Sequence, residues 1–149
     1  MVAQALVAYA HFLSIFTALA MLVAETALYR KHMRPGVIQV LPRLDLAYLM
    51  AVVAIIVSGL LRVFYFAKGA DFYAANPIFW LKMAMFILVG LLSLPPTFEF
   101  LRNRRIVGNR GLELDRDRLR FIRGFLIAEL VVFALIPLAA TLMARGIGM

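Results

Sequence analysis

The stretch that decides the fold runs from Asn76 to Pro96 and reads "NPIFWLKMAMFILVGLLSLPP". Nearly all of its residues are apolar, and a helix of about 20 such residues crosses the hydrocarbon core of a bilayer. One residue departs from this pattern. Lys82 places a cation about one turn inside the start of the helix, where a charge is unfavourable in lipid. The stretch therefore predicts a transmembrane helix that keeps a polar group for a specific reason.

Three other apolar runs have a similar length, and the chain as a whole is 64% hydrophobic and 16% charged. Soluble domains are about half apolar and about a quarter charged. Helices are the natural spanning form because they satisfy their own backbone hydrogen bonds in lipid. We predict one domain, residues 1–149, that is an all-α integral membrane protein built as a four-helix antiparallel bundle. Its helices are predicted at Leu6–Tyr29, Leu46–Phe66, Pro77–Leu94 and Phe121–Ala144.

The basic residues are concentrated in two of the three connections between these helices. Basic connections remain in the cytoplasm, so both termini are predicted to face outward (N-out/C-out). This distribution explains the net charge of +8 better than a nucleic-acid partner, which we do not expect. The residues that carry the signal are Arg30, Lys31, Arg34 and Arg43 in the first connection, and Arg102, Arg104, Arg105, Arg110, Arg116, Arg118, Arg120 and Arg123 around the last.

Three polar groups are predicted to lie at one level in the outer half of the membrane. At the rise of an α-helix, His11 lies about 8 Å below the outer end of helix one, Arg62 about 6 Å below that of helix two, and Lys82 about 8 Å below that of helix three. Arg62 and Lys82 are close enough to the interface to extend their charged groups to lipid phosphates, and His11 could be a hydrogen-bonded packing residue. These alternatives stay open at the level of sequence.

Each helix has one stripe of residues that carries a polar group, and the four stripes are predicted to converge on the bundle interior. Glu129 is expected to be a proton-handling or a structural group. Near the basic connections, Glu25 is expected to pair with Arg30 or Lys31, and Asp45 to cap helix two. The stripes are His11, Ser14, Ala18, Leu22 and Glu25; Tyr48, Ala51, Ile55, Ser58 and Arg62; Lys82, Phe86, Val89 and Ser93; and Glu129, Phe133, Ile136 and Ala140.

A histidine beside two cations is a poor site for a bare divalent metal, which prefers several histidines, carboxylates or thiolates, and the chain has no cysteine. A Ser–His–Asp arrangement on Ser14 and His11 lacks a carboxylate at that depth, so catalytic residues are not assigned. The layer better suits a large, flat, apolar ligand with acidic tails.

Haem b is such a ligand, because its macrocycle fits between helices and its propionates pair with cations. We predict His11 as an axial ligand and Arg62 as a propionate partner. Lys82 is either a second metal ligand or a propionate partner, and Met83 is the other candidate for the second ligand. Ser14, one turn from His11, belongs to the same candidate site. A porphyrin, a quinone or an anionic lipid would also fit these groups.

The stretches "AHFLSIFTALAMLVAE" and "GLLRVFYFAKGADFYAANPIFWLKMAMFILVGLLSLPPT" resemble a bacterial inner-membrane family, domain of unknown function number 2214. The resemblance covers nearly the whole chain. It implies a multi-pass protein of the bacterial inner membrane, and it implies no activity.

A more distant resemblance is to the HemJ-type four-helix protoporphyrinogen oxidases, which have an early histidine in helix one and a "W-x-K-M"-like start to helix three. The corresponding residues here are His11, Trp80, Lys82 and Met83. This resemblance implies a b-type haem protein that acts on a tetrapyrrole. The chain departs from the pattern at Thr17-Ala18-Leu19, where that family has a tryptophan and a glycine after the histidine, and it lacks the later histidine of helix three.

Three functions remain open from the sequence. The first is a small haem- or porphyrin-binding membrane protein with oxidoreductase activity. The second is a cofactor-free accessory or assembly subunit of a larger membrane complex, or a homo-oligomer. The third is a proton, ion or small-molecule transporter built on Arg62, Lys82 and Glu129, which the lack of an inverted repeat makes weaker.

Overall fold

The computed structural model describes residues 1–66, 75–107 and 111–145. Nearly all of them are helical, which confirms the predicted all-α, four-helix architecture. A π-helical turn, Arg62–Phe66, continues the second helix. The elements are α1 (Val2–Leu28), β1 (His32–Met33), α2 (Pro35–Leu61), α3 (Pro77–Val107), β2 (Leu112–Glu113) and α4 (Arg116–Ala144).

The four helices form a closed ring in which each helix packs on its neighbours in the chain and α1 also packs on α4. All four helices are long and apolar enough to cross a membrane. The short connections α1–α2 and α3–α4 lie at the same end of the bundle, because consecutive helices run in opposite directions. We call this end the basic end, after the arginines around these connections. Which side of the membrane it faces stays a prediction.

The core follows the four predicted stripes. Ala18 and Leu22 of α1, Ile55 of α2, Val89 of α3 and Phe133 of α4 are buried. The opposite faces expose large apolar side chains, as a surface in contact with lipid tails does. Among these exposed residues are Phe16, Leu49, Ile87 and Leu135.

Two predicted helix bounds, the start of helix two at Leu46 and the end of helix three at Leu94, differ from those in the structure. Helix α2 begins at Pro35 and carries Pro42 inside it, so Asp45 lies well within the helix and does not cap it. Helix α3 continues through Pro95 and Pro96 to Val107. Proline removes one backbone hydrogen bond from a helix, but neighbouring helices and local adjustment compensate for this loss in membrane bundles.

A two-residue strand pair joins the two connections at the basic end. His32 pairs with Glu113, and Met33 with Leu112, in antiparallel register. The Lys31 ammonium lies 3.3 Å from the Glu113 carboxylate. A side chain at Gly111 would come within 3.2 Å of the Met33 carbonyl oxygen, which explains the glycine at the entrance to β2.

The start of α3 agrees with the sequence. The Asn76 side-chain oxygen accepts a hydrogen bond from the Ile78 amide at 2.8 Å, as an N-cap residue before proline does. Arg110, one of the basic residues of the last connection, falls outside the described residues.

Candidate functional site

The predicted polar layer centres on a hydrogen bond between α1 and α2. Nδ1 of His11 lies 2.9 Å from Oγ of Ser58. The Ser58 hydroxyl itself donates to the Ala54 carbonyl oxygen at 2.5 Å, so its lone pairs accept the Nδ1 proton of a neutral His11. We assign this tautomer from the hydrogen-bond network. It leaves Nε2 as the nitrogen with a free electron pair.

Gly59 lets the His11 ring lie close to the backbone of α2. A Cβ atom at this position would lie 3.4 Å from Cε1 of His11, so any larger side chain would enter the space of the ring. The ring also meets the Phe12 ring edge to face, with centroids 6.2 Å apart. His11 is therefore a half-buried residue in a fixed orientation.

Arg62 and Lys82 are the other two groups of the predicted layer. The Arg62 guanidinium lies 5.7 Å from the centre of the Phe12 ring, and the Lys82 ammonium lies 5.5 Å from the centre of the Phe79 ring. Both charges act electrostatically on His11, so three helices bring these groups together. Within residues 1–66, 75–107 and 111–145, no carboxylate forms an ion pair with either cation.

The two remaining predicted site residues make no contact that assigns them to a ligand. The Ser14 hydroxyl donates to the Ala10 carbonyl oxygen at 2.8 Å, within its own helix. Met83 is half-buried beside Lys82 in the sequence. Ser58, which the sequence placed only in the stripe of helix two, is the residue that orients His11. In the part of the chain that the structure describes, no three histidine, aspartate or glutamate side chains are placed to hold a metal ion.

A second group of polar side chains lies in the interior, between the layer and the basic end. Glu25 of α1, Tyr48 of α2 and Glu129 of α4 expose 2%, 4% and 1% of their surfaces. The predicted pairing of Glu25 is wrong, because Lys31 pairs with Glu113 and Arg30 donates to the Ala27 carbonyl oxygen. Helix α1 turns Glu25 inward, away from both cations.

Asp45 lies next to this group but has a partner of its own. Its Oδ1 accepts a hydrogen bond from the Thr97 hydroxyl of α3 at 2.9 Å. The aspartate assigned to the cap of helix two is thus a link between α2 and α3.

Glu99, at the basic end, carries a network that was not predicted. Its Oε1 accepts hydrogen bonds from the Asn103 amide at 2.9 Å, from the Arg118 Nε at 2.8 Å and from the Tyr29 hydroxyl at 3.3 Å. The Arg118 Nη2 also donates to Oε2 of Glu99, so Arg118 holds the carboxylate with two bonds. These contacts tie α1, α3 and α4 together.

Tyr29 is fully buried rather than at a membrane interface as predicted. Burial and the neighbouring Glu99 carboxylate raise the pKa of the Tyr29 hydroxyl well above its usual range, so it donates to Glu99 as a neutral group. Its carbonyl oxygen accepts from Arg123 at 3.2 Å. This network was not predicted because the predicted helix three ends before Pro95. In a helix that continues through the prolines, the spacing of Pro96, Glu99 and Asn103 would have indicated it.

A family described as "Predicted membrane protein (DUF2214)" matches residues 3–148. The chain belongs to this family. No curated protein and no solved structure matches the chain. Membership supports a membrane protein with four transmembrane helices and carries no activity or cofactor. The resemblance to the HemJ-type oxidases and the bacterial origin therefore rest on the sequence pattern alone.

Proposed function

We propose that this membrane protein binds a b-type haem, or a closely similar tetrapyrrole, at the layer formed by His11, Arg62 and Lys82. The observation that carries the proposal is the hydrogen bond from Nδ1 of His11 to Ser58. Histidines that bind metals almost always donate their second ring nitrogen to an acceptor, which fixes both the tautomer and the ring orientation. His11 has this arrangement, with Nε2 as the nitrogen that would bind iron.

The two cations support an acidic, apolar ligand in preference to a metal ion alone. Arg62 and Lys82 flank His11, and both stack on phenylalanine rings. A metal ion would be repelled by these charges, whereas the propionates of a haem would be attracted by them. Arg62 and Lys82 would hold the propionates, while the surrounding aromatic and aliphatic side chains would contact the macrocycle.

The second axial position has two candidates in this chain. Lys82 could serve as a ligand in its neutral form, and Met83 follows it directly in the sequence. The resemblance to HemJ-type proteins adds support at the same positions. A bound haem would supply one-electron chemistry, so an oxidoreductase function in the inner membrane would follow from this proposal.

The first test is an absorption spectrum of the full-length protein, purified in detergent from cells supplied with a haem precursor, before and after reduction with dithionite. We expect a Soret band that shifts on reduction. His11→Ala should lose it, while His32→Ala, a change at an exposed histidine of the strand pair, should retain it. Ser58→Ala should retain the haem but weaken its binding.

The opposite results are equally informative. A folded, colourless protein from haem-replete cells would overturn the proposal and favour the accessory or assembly subunit. A Soret band that survives in His11→Ala would overturn the assignment of the ligand. Haem-free protein that co-purifies with a quinone would assign the layer to quinone binding instead.

A further inference from the structure

The interior group of Glu25, Tyr48 and Glu129 has no role in the proposed haem site, and its chemistry differs. Three polar atoms in it, Oε1 of Glu25, the hydroxyl of Tyr48 and Oε1 of Glu129, are buried and have no hydrogen-bond partner among the described residues. Buried polar atoms are nearly always satisfied. Three unsatisfied atoms from three different helices leave the hydrogen bonding of this group incomplete.

The three side chains lie close enough for their charges to act on one another. The Tyr48 hydroxyl is influenced by the carboxyl groups of Glu129, Glu25 and Asp45, although it makes no hydrogen bond of ordinary geometry. Glu25 in turn is influenced by Asp45 and Glu129. A single hydroxyl is therefore grouped with carboxyl groups that supply no donor when they are ionised.

No positive charge balances this group within the described part of the chain. The groups that act on it are Glu25 from α1, Asp45 and Tyr48 from α2, and Glu129 from α4; α3 contributes the neutral Thr97, which bonds Asp45. Arg118 is bound to Glu99, and Arg123 donates to the Tyr29 carbonyl oxygen. Several carboxylates cannot all be ionised together in a medium of low dielectric constant without a cation.

A metal ion is not the best candidate for the missing cation. No three of the acidic side chains that the structure describes are close enough to share one. A proton needs only one oxygen, and a protonated carboxyl becomes the donor that the group lacks. The protonated carboxyl would also donate a hydrogen bond to one of the unpartnered oxygens nearby.

We propose that Glu25, Tyr48 and Glu129 form a buried proton-binding site in the interior of the bundle. A hydronium ion transfers its proton to a glutamate carboxylate oxygen and leaves a water molecule, and the O–H group formed on the glutamate is stabilised by hydrogen bonding within the group. The site lies in the bundle interior, between the layer of His11, Arg62 and Lys82 and the basic end.

The test is infrared difference spectroscopy of the full-length protein, titrated from neutral to alkaline pH in water and in deuterated water. We expect the C=O stretching band of a protonated carboxyl at neutral pH, shifted by deuterium and lost at alkaline pH. Glu25→Gln and Glu129→Gln should each change this band. Glu113→Gln, an exposed glutamate of the strand pair, is the matched control and should leave it unchanged.

Tyr48→Phe provides a second measurement, which would not change if Tyr48 acted only by packing against its neighbours. Loss of the hydroxyl should shift the frequency of the carboxyl band without removing it, because the hydrogen bonding of the protonated group changes. Absence of the band in the wild-type protein at neutral pH would overturn the proposal without reference to any variant. A band unaffected by both glutamine variants would overturn the assignment to this site. Neither result depends on haem, so failure of this proposal is distinguishable from failure of the haem proposal.

Discussion

His11 and Ser58 are joined across the α1–α2 interface by a hydrogen bond of 2.9 Å, although 47 positions separate them in the sequence. The bond determines which imidazole nitrogen carries the proton and therefore which one is free to bind a ligand. Because Gly59 follows Ser58 on the same helix, the ring also lies close to the α2 backbone. Two adjacent residues of one helix thus orient the candidate ligand of another.

Ser58→Ala should destabilise the bundle by about 1 kcal/mol, the net contribution of a typical hydrogen bond. It should also lower the affinity for added haem, since the imidazole loses its orienting acceptor. Unfolding in mixed detergent and haem titration would measure the two effects. Ser93→Ala is the matched control, because the Ser93 hydroxyl bonds only the Gly90 carbonyl oxygen of its own helix. Equal effects of the two variants would contradict the role of Ser58.

Gly59→Leu should displace the His11 ring and destabilise the protein by about 1–3 kcal/mol, as overpacking does. Gly59→Ala should be tolerated, because its Cβ atom would make an ordinary contact at 3.4 Å. At Gly90 a Cβ atom would meet nothing within 4 Å, so Gly90→Leu is the control for leucine at a helical glycine. Thermal unfolding of the three variants would check the order. A Gly59→Leu protein as stable as Gly90→Leu would contradict close packing at this position.

Glu99 and Arg118 should show strong coupling in a double-mutant cycle. Changing one partner of this doubly hydrogen-bonded pair should destabilise the protein by about 1–3 kcal/mol, because the Glu99 carboxylate is buried whereas the Arg118 side chain is 35% exposed to solvent. We expect Glu99→Gln to destabilise the protein by about this amount. The double variant with Arg118→Gln should lose less free energy of unfolding than the sum of the two single variants. The exposed pair Lys31–Glu113 is the comparison, with a coupling of less than about 1 kcal/mol. Similar coupling energies for the two pairs would contradict the network.

Tyr29 should make the protein sensitive to alkaline pH. The pKa of the Tyr29 hydroxyl in the folded state is raised above the ordinary value. Its contribution to the free energy of unfolding is therefore fully present below about pH 10, and it declines at higher pH because the tyrosine ionises in the unfolded chain. Tyr29→Phe should lose this part of the alkaline decline. Stability measured at neutral and at alkaline pH, with Tyr9→Phe as the exposed control, would check it. An unchanged decline in Tyr29→Phe would contradict the assignment.

The orientation in the membrane is directly testable because the chain has no cysteine. Val2→Cys and Glu113→Cys introduce single thiols at exposed positions near opposite ends of the bundle. With both termini outside, an impermeant maleimide should label Val2→Cys in intact cells and Glu113→Cys only after permeabilisation. The reverse pattern would place the basic end outside, against the distribution of arginine.

Periodicity was sufficient to predict the inward stripes, while the shared membrane depth of His11, Arg62 and Lys82 stays a prediction. The predictions from sequence failed at the prolines and at the buried acids. The structure continues helices α2 and α3 through Pro42 and Pro95, because a bundle compensates for the backbone hydrogen bonds that proline removes. Glu25 was assigned to the nearest basic residues in the chain, whereas its position on α1 turns it toward Tyr48 and Glu129.

The sequence by itself determined that the chain forms four apolar helices, which of their faces turn inward, and where the basic connections lie. Hydrophobic length and helical spacing are local properties, and lipid leaves few other folds available. The tertiary structure was needed to show that Ser58 contacts His11, that Arg118 holds Glu99, and that Glu25, Tyr48 and Glu129 lie near one another without a cation among the described residues. These relationships depend on the vertical register and rotation of each helix against its neighbours, which the packing of all four helices sets together.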